Sequence, residues 1–176
     1  MMITPAQVGA VQGSDTVHPL AMSSTPEHYT PRAWVDRARQ ALGGEIDLDP
    51  CSSAEAQKVV CATRYYRRAD DGLEQPWDRR VFVNPPGDPR GALPRCFWRK
   101  LQEEIEAGRV DAFIWLAFNI SHLRTLRPRN CMIAVPHERI RFTGASPTKD
   151  NAILGRGMPW QQFFGAFGGV ATCWRP

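Results

Sequence analysis

Seven apolar residues in succession, Ala112-Phe113-Ile114-Trp115-Leu116-Ala117-Phe118, constrain this chain more than any other feature. A strand with one face in water would alternate apolar with polar residues, and this run does not. It is also far shorter than the roughly 20 residues that cross a bilayer. It reads as a central strand covered on both faces, the situation of parallel strands in layered α/β folds. Residues 80–84 read as a second buried strand. Ile46 and Leu48 alternate with Glu45, Asp47 and Asp49 in a short strand ending at Pro50. Further strands are expected at residues 65–66, 131–135 and 140–142.

Helical signals fall between these strands. Trp34, Ala38, Ala41 and Leu42 share one helical face, with Thr30 as N-cap, Pro31 in the first turn and Gly43-Gly44 as the stop. Ser52-Ser53-Ala54-Glu55 has the form of a capping box opening a helix that runs to Ala62. Leu93, Phe97, Leu101 and Ile105 step by four along a helix that Gly108 ends. Asp70-Asp71-Gly72 is a turn, and residues 163–174 read as a hairpin around glycines. The expected fold is α/β: a mostly parallel sheet with an antiparallel C-terminal hairpin.

A chain of 176 residues suits one domain. Residues 1–26 lack a sustained period and read as a flexible leader, leaving residues 27–176 as the domain. The balance of 22 basic against 18 acidic residues, a net charge of +4, is compatible with a polyanionic partner without requiring one. No signal peptide or membrane span is seen, so a soluble cytoplasmic protein with no membrane contact is expected. The five cysteines are scattered, with no Cys-x-x-Cys pair and no zinc-like cluster with the four histidines. Reduced thiols and no metal are expected.

Chemistry concentrates at Asn84-Pro85-Pro86-Gly87, after the apolar Val81-Phe82-Val83. The carboxyl ends of strands are where α/β sheets bind ligands. There the Asn84 side-chain oxygen and the Pro85 carbonyl, fixed by the proline rings, can accept both N–H groups of a planar amine. Such an amine is a poor nucleophile, because its nitrogen lone pair is shared with the ring; two acceptors draw the nitrogen toward a tetrahedral geometry and free that pair. Two prolines ending a strand are the plain alternative. Asp47-Leu48-Asp49-Pro50-Cys51 places acids at another strand end, where they complement a cation or cap a helix. Asp71 follows Asp49 by roughly 20 residues, the interval at which an acid meets a ribose hydroxyl in dinucleotide-binding folds, or is an ordinary turn residue. Thr30 and Pro31 open a helix and can also meet a ligand. Arg90, Arg95, Arg99 and Lys100 are a basic stretch suited to phosphates or to solvent.

In order and spacing these motifs resemble the phage-type DNA N-6-adenine methyltransferase family. They are Tyr29-Thr30-Pro31, Asp47-Leu48-Asp49-Pro50-Cys51, Asp70-Asp71-Gly72-Leu73 with Trp77, Val81-Phe82-Val83-Asn84-Pro85-Pro86, and the strand around Trp115-Leu116, spanning roughly residues 27–168. The resemblance implies a compact, Rossmann-like S-adenosylmethionine-dependent methyltransferase fold acting on adenine in DNA, in a bacterial host cell if the chain is of phage origin. It implies that Asn84, Pro85 and Pro86 hold the target amine, and that Thr30, Pro31, Asp47, Asp49 and Asp71 line the S-adenosylmethionine pocket. It departs at Gly87, where related enzymes carry an aromatic ring against the extruded base; Trp98 and Phe118 are the rings that can substitute. The alternative is a catalytically inactive module of the same fold that binds DNA or a protein partner. By elimination, residues 87–95 and 141–160 are the segments left to read DNA.

Overall fold

A computed structural model gives the structure, describing residues 28–87, 91–143 and 149–176. The leader expected over residues 1–26 and Arg90 of the basic stretch lie outside them. The chain runs α1 (Arg32–Ala41), β1 (Leu48–Ser52), α2 (Ala54–Val60), β2 (Arg64–Arg67), β3 (Arg79–Val83), α3 (Ala92–Glu106), β4 (Val110–Ala117), α4 (His122–Leu126), β5 (Met132–Pro136), β6 (Ala152–Arg156), α5 (Trp160–Phe167) and β7 (Ala171–Trp174).

The seven strands form one mixed sheet in the order β2-β1-β3-β4-β6-β5-β7. The first four are mutually parallel, whereas β6 runs antiparallel to both β4 and β5, and β7 antiparallel to β5. Alternate residues of β4 go to opposite faces, as strand periodicity requires. Ile114 and Leu116 pack with Val35 and Ala38 of α1 and Phe163 and Phe167 of α5. Phe113 and Trp115 pack with Leu93, Phe97 and Leu101 of α3. The apolar run is thus a strand buried on both sides. No helix among the described residues is long and apolar enough to cross a membrane.

The helices α2 and α3 lie on opposite faces of the sheet. From β1 the chain passes through α2 to β2 on one side, then returns past β1 to β3 and continues through α3 to β4. Strand order therefore reverses between β1 and β3, the position where sheets of this kind open a crevice at their carboxyl ends.

Several local expectations are corrected. β1 does not stop at Pro50 but runs through it to Ser52, because the pairing with β2 is irregular between Asp49 and Ser52 and the missing N–H falls in that break. The cap of α1 is Pro31, in extended conformation without a side-chain bond, and Thr30 is buried instead. The cap of α2 is Ser53, whose hydroxyl accepts from the Ala56 N–H at 3.1 Å, while Glu55 pairs with Lys58. That helix stops at Val60 because Cys61 turns left-handed.

Residues 140–142 form no strand; the neighbouring Thr143 makes a single bridge to Tyr29. The expected C-terminal hairpin is absent, since residues 160–167 are helical and β7 pairs with β5. Phe163 and Phe167, one turn apart, bury against α1, and that burial outweighs the roughly 1 kcal/mol helix cost of exposed Gly165.

Candidate functional site at the strand-order reversal

β1 and β3 lie side by side with Leu48 opposite Val81, so Cys51 falls level with Asn84 at the carboxyl edge and Asp49 stands two residues deeper in the adjacent strand. Asp49 is only 3% exposed. One oxygen accepts from the Cys51 N–H at 3.4 Å and the other from Gln57 Nε2 at 3.0 Å. Gln57 is itself fixed, its Nε2 lying 2.8 Å from Ser52 Oγ and its Oε1 accepting from the Ala62 N–H at 2.9 Å. Every one of these partners is neutral. Burial without a cation pushes the Asp49 carboxyl up to about 6, although the bonds from Ser52, Cys51 and Gln57 pull the other way. A buried carboxylate in this condition is complementary to a cationic ligand.

Asn84 sits just beyond β3. Its Nδ2 donates to the His28 carbonyl at 3.1 Å. An oxygen could not donate there, so the contact fixes which end of the carboxamide is which and turns Oδ1 away from His28. The Asn84 main-chain carbonyl accepts from the Cys51 thiol at 3.2 Å. Pro85 is buried and Pro86 half-buried. The His28 ring stacks on Phe118 at 5.6 Å and an interplanar angle of 11°, and Phe118 leans on Phe142 at 5.3 Å. Tyr29 is pinned by the Thr143 N–H at 3.0 Å, and the Pro31 carbonyl accepts the first N–H groups of α1. Thr30 and Pro31 are thereby held along the same edge as Asn84.

Asp71 stands past the carboxyl end of β2, in left-handed conformation with φ 50°, and its Oδ1 accepts from the Leu73 N–H at 3.2 Å. The next residue fixes its place. A Cβ on Gly72 would lie 1.9 Å from the Pro50 carbonyl oxygen, so only glycine packs this closely on β1. The Trp77 indole N–H donates to the Gly72 carbonyl at 2.7 Å, locking the approach from the other side.

Asn84, Pro85, Pro86, Thr30, Pro31, Asp49 and Asp71 are therefore gathered at one edge of the sheet. Asp47 is not with them. It precedes β1 at the opposite edge, where Arg80 Nε and a terminal guanidinium nitrogen reach its two oxygens at 2.6 and 3.1 Å. The bond from that guanidinium holds its carboxyl below the usual range, against the opposing effect of burial. The two acids lie about 7 Å apart along the chain and diverge through their partners, Arg80 at the start of β3 for Asp47 and Gln57 of α2 for Asp49. Asp47, Arg79, Arg80, Asp111 and Gln162 line a cavity of about 660 Å³ at that far edge.

Of the two rings proposed to replace the one missing at Gly87, Trp98 is 7% exposed and set edge-on to Phe113 and Trp115 in the core. Phe118 is the one at the site. A Cβ added at Gly87 would have no neighbour within 4 Å among the described residues. In the basic stretch, Arg99 pairs with Glu103 at 3.6 Å and Lys100 with buried Glu104 at 2.6 Å, so both serve α3 itself. Sequence reasoning missed His28 and Gln57 and treated Cys51 as inert. Only contacts across 56, 8 and 33 positions reveal their roles, and no local spacing signals them. Comparison of the chain with known protein families, with characterised proteins and with solved structures returned no significant match.

Proposed function

We propose that this chain transfers a methyl group from S-adenosylmethionine to the exocyclic amino group of adenine in DNA, on a Rossmann-like methyltransferase fold. One observation carries the proposal: at the strand-order reversal, β1 holds a buried carboxylate whose described partners are all neutral, and the adjacent β3 ends in an asparagine whose amide nitrogen is tied down, its oxygen being the end left to accept. The residues fit the cofactor in chemistry. Asp49 and Asp71 supply acids for its cationic and hydroxyl groups, and Thr30 and Pro31 form the adjoining wall. Bound there, S-adenosylmethionine supplies an electrophilic methyl group on a sulfonium.

The protein's part is orientation. Asn84 Oδ1 and the Pro85 carbonyl accept the two N–H groups of the amine, releasing its lone pair in the direction of attack. The proton is lost only after the new bond forms, so no strong base is needed. Adenine must leave the helical stack, at a cost of a few kcal/mol, and Phe118 supplies a ring near Asn84 to receive it. Glycine at position 87, where an aromatic ring would hold the base, favours a second assignment, a DNA- or protein-binding module without turnover.

Incubation with methyl-labelled cofactor and mixed-sequence duplex DNA, followed by digestion, separates the two. N6-methyl-2′-deoxyadenosine formed by the wild type and reduced at least 100-fold in Asn84→Ala supports the enzyme. Equal labelling by both proteins refutes the role of Asn84, and no labelling by the wild type favours the binding module.

A further inference from the structure

The two exposed large hydrophobic side chains among the described residues, Phe164 and Trp174, are each 49% exposed and stand at the same edge of the sheet. That edge is β7, whose outer side no described strand pairs. Gln162 of α5 turns toward α1 by donating to the Ala41 carbonyl, and Phe164, two positions on, faces the other way. Its ring contacts Trp160 at 5.5 Å and lies over Gly168 in the turn leading to β7, where a Cβ would come within 2.7 Å of it. Arg175, just after β7, covers the Trp160 ring at 5.0 Å. Trp174 lies on the opposite face, because Ala171 and Cys173 alternate with it and pack with α1 and α5. Apolar surface thus flanks both sides of one open strand.

The main chain of that strand fixes what can bind it. The His137 N–H donates to the Val170 carbonyl at 2.9 Å, and Thr172 and Trp174 lie opposite Val135 and Ile133. Antiparallel alternation therefore directs the N–H and C=O groups of Thr172 and Trp174 to β5, and those of Ala171 and Cys173 outward. A row of outward donors and acceptors is a template for another strand, which sheets ordinarily blunt with charge, proline or a covering segment. The other edge is blunted in this way. There β2 carries Arg64 and Arg67, and the Arg67 N–H is taken by the Asp70 carboxylate at 2.8 Å. Ala171-Thr172-Cys173-Trp174 has neither charge nor proline.

We propose that β7 pairs with β7 of a second copy of this chain, antiparallel about a two-fold axis, so that two sheets become one. One register pairs both outward residues of the strand with each other: Thr172 faces its own counterpart, and Ala171 faces Cys173 of the second copy. An identical strand has the matching pattern by symmetry and, being neutral, brings no repulsion. Trp174 then falls opposite Val170 of the second copy, which covers it, while Phe164 turns toward the seam on the other face. Each chain has one such edge, so assembly closes at two copies. The inference does not depend on the methyl-transfer reading.

The test is sedimentation equilibrium of the full chain under reducing conditions, from about 1 to about 100 μM. The wild type should sediment at twice the 19.8 kDa mass of one chain. Thr172→Lys sets two like charges face to face on the axis and should weaken association roughly tenfold; Trp174→Lys acts twice in a symmetric interface and should weaken it roughly 100-fold. Gln161→Lys, on the exposed outer face of α5, should leave it within about twofold. Thermal melts confirm that each variant folds. Register is read separately. Counterparts in a non-hydrogen-bonded pair lie about 4.5 Å apart at Cα, within disulfide range, so Thr172→Cys should give more covalent dimer than the wild type on mild oxidation, and Gln161→Cys should not. A wild type that stays monomeric throughout overturns the proposal. So does a dimer that both lysine variants leave intact, one in which Thr172→Cys adds no cross-link, or open-ended assembly beyond two copies.

Discussion

The Cys51 thiol donates to the main-chain carbonyl of Asn84 across 3.2 Å, tying the end of β1 to the end of β3 where the strand order reverses. Burial, and then the nearby Asp49 carboxylate, push this thiol well above its ordinary pKa, so it stays protonated and remains a donor. Removing it leaves a half-buried carbonyl unpaired, a loss of about 1 kcal/mol. Cys51→Ala should lower the methyl-transfer rate about tenfold by loosening Asn84, with cofactor affinity within twofold of wild type. Cys51→Ser, which keeps a donor, should recover most of the rate. Equal rates for Ala and Ser would show that the bond positions nothing.

Asp49 gives the protein a pH signature. Its carboxyl is raised from 3.8 to about 6 in the folded state, so between these values the native protein holds a proton that the unfolded chain has lost. Stability therefore falls as pH rises from about 4 through 6, by up to about 3 kcal/mol, and Asp49→Asn should flatten the curve. A cationic ligand prefers the ionised form, so cofactor affinity should rise over the same window. Denaturant titrations and calorimetry at pH 4.5, 5.5 and 7 measure both. A wild-type stability curve identical to that of Asp49→Asn would remove the uncompensated carboxylate from the account.

Asp47 should behave differently, because its partner is Arg80 rather than a ligand. Both side chains retain some solvent contact, so screening limits what the pair contributes. Asp47→Asn is expected to cost about 1 kcal/mol in denaturant melts and leave cofactor affinity within twofold. A tenfold loss of cofactor binding would return Asp47 to the site.

The contrast between Asp47 and Asp49 shows where sequence legibility ends. The layered α/β fold could be read because it depends on short-range period: the apolar run of β4 and the four-step of Leu93, Phe97, Leu101 and Ile105. The strand end at Asn84 could be read because two prolines forbid much else. Pairing direction and edge are set by long-range contacts. So Asp47 and Asp49 looked equivalent, Gly165 and Gly168-Gly169 imitated hairpin turns, and Pro50 seemed to end a strand that a break in pairing lets through. His28 had no local mark at all; its carbonyl matters only because the fold brings it to Asn84.

Under the proposed function Phe118, one side of which stacks on His28, is the ring assigned to the extruded base in place of one at Gly87. Stacking on an aromatic ring contributes about 1–3 kcal/mol, so Phe118→Leu should weaken productive DNA capture by roughly 5- to 150-fold. The loss should appear in the KM for DNA and not in cofactor affinity. Since a Cβ at Gly87 meets nothing within 4 Å among the described residues, Gly87→Phe in the Phe118→Leu background should restore part of it. An unchanged KM in Phe118→Leu would leave base capture without an aromatic partner and count against extrusion at this edge.

Gly72 tests whether Asp71 owes its position to backbone packing. A Cβ there would come within 1.9 Å of the Pro50 carbonyl oxygen and 3.0 Å of its carbon, main-chain atoms that cannot swing aside. Accommodation must separate the turn carrying Asp71 from the strand carrying Asp49, and the Trp77 indole would lose its alignment with the Gly72 carbonyl. Gly72→Ala should therefore cost about 3 kcal/mol, lowering the melting temperature by about 6–12 °C, and should weaken cofactor binding well below the melting range. Gly87→Ala is the matched control, with an open neighbourhood and an expected change within about 0.5 kcal/mol. A Gly72→Ala protein that melts like the control would show that β1 and the Asp71 turn are not in close contact, and that the two acids are not held as one unit.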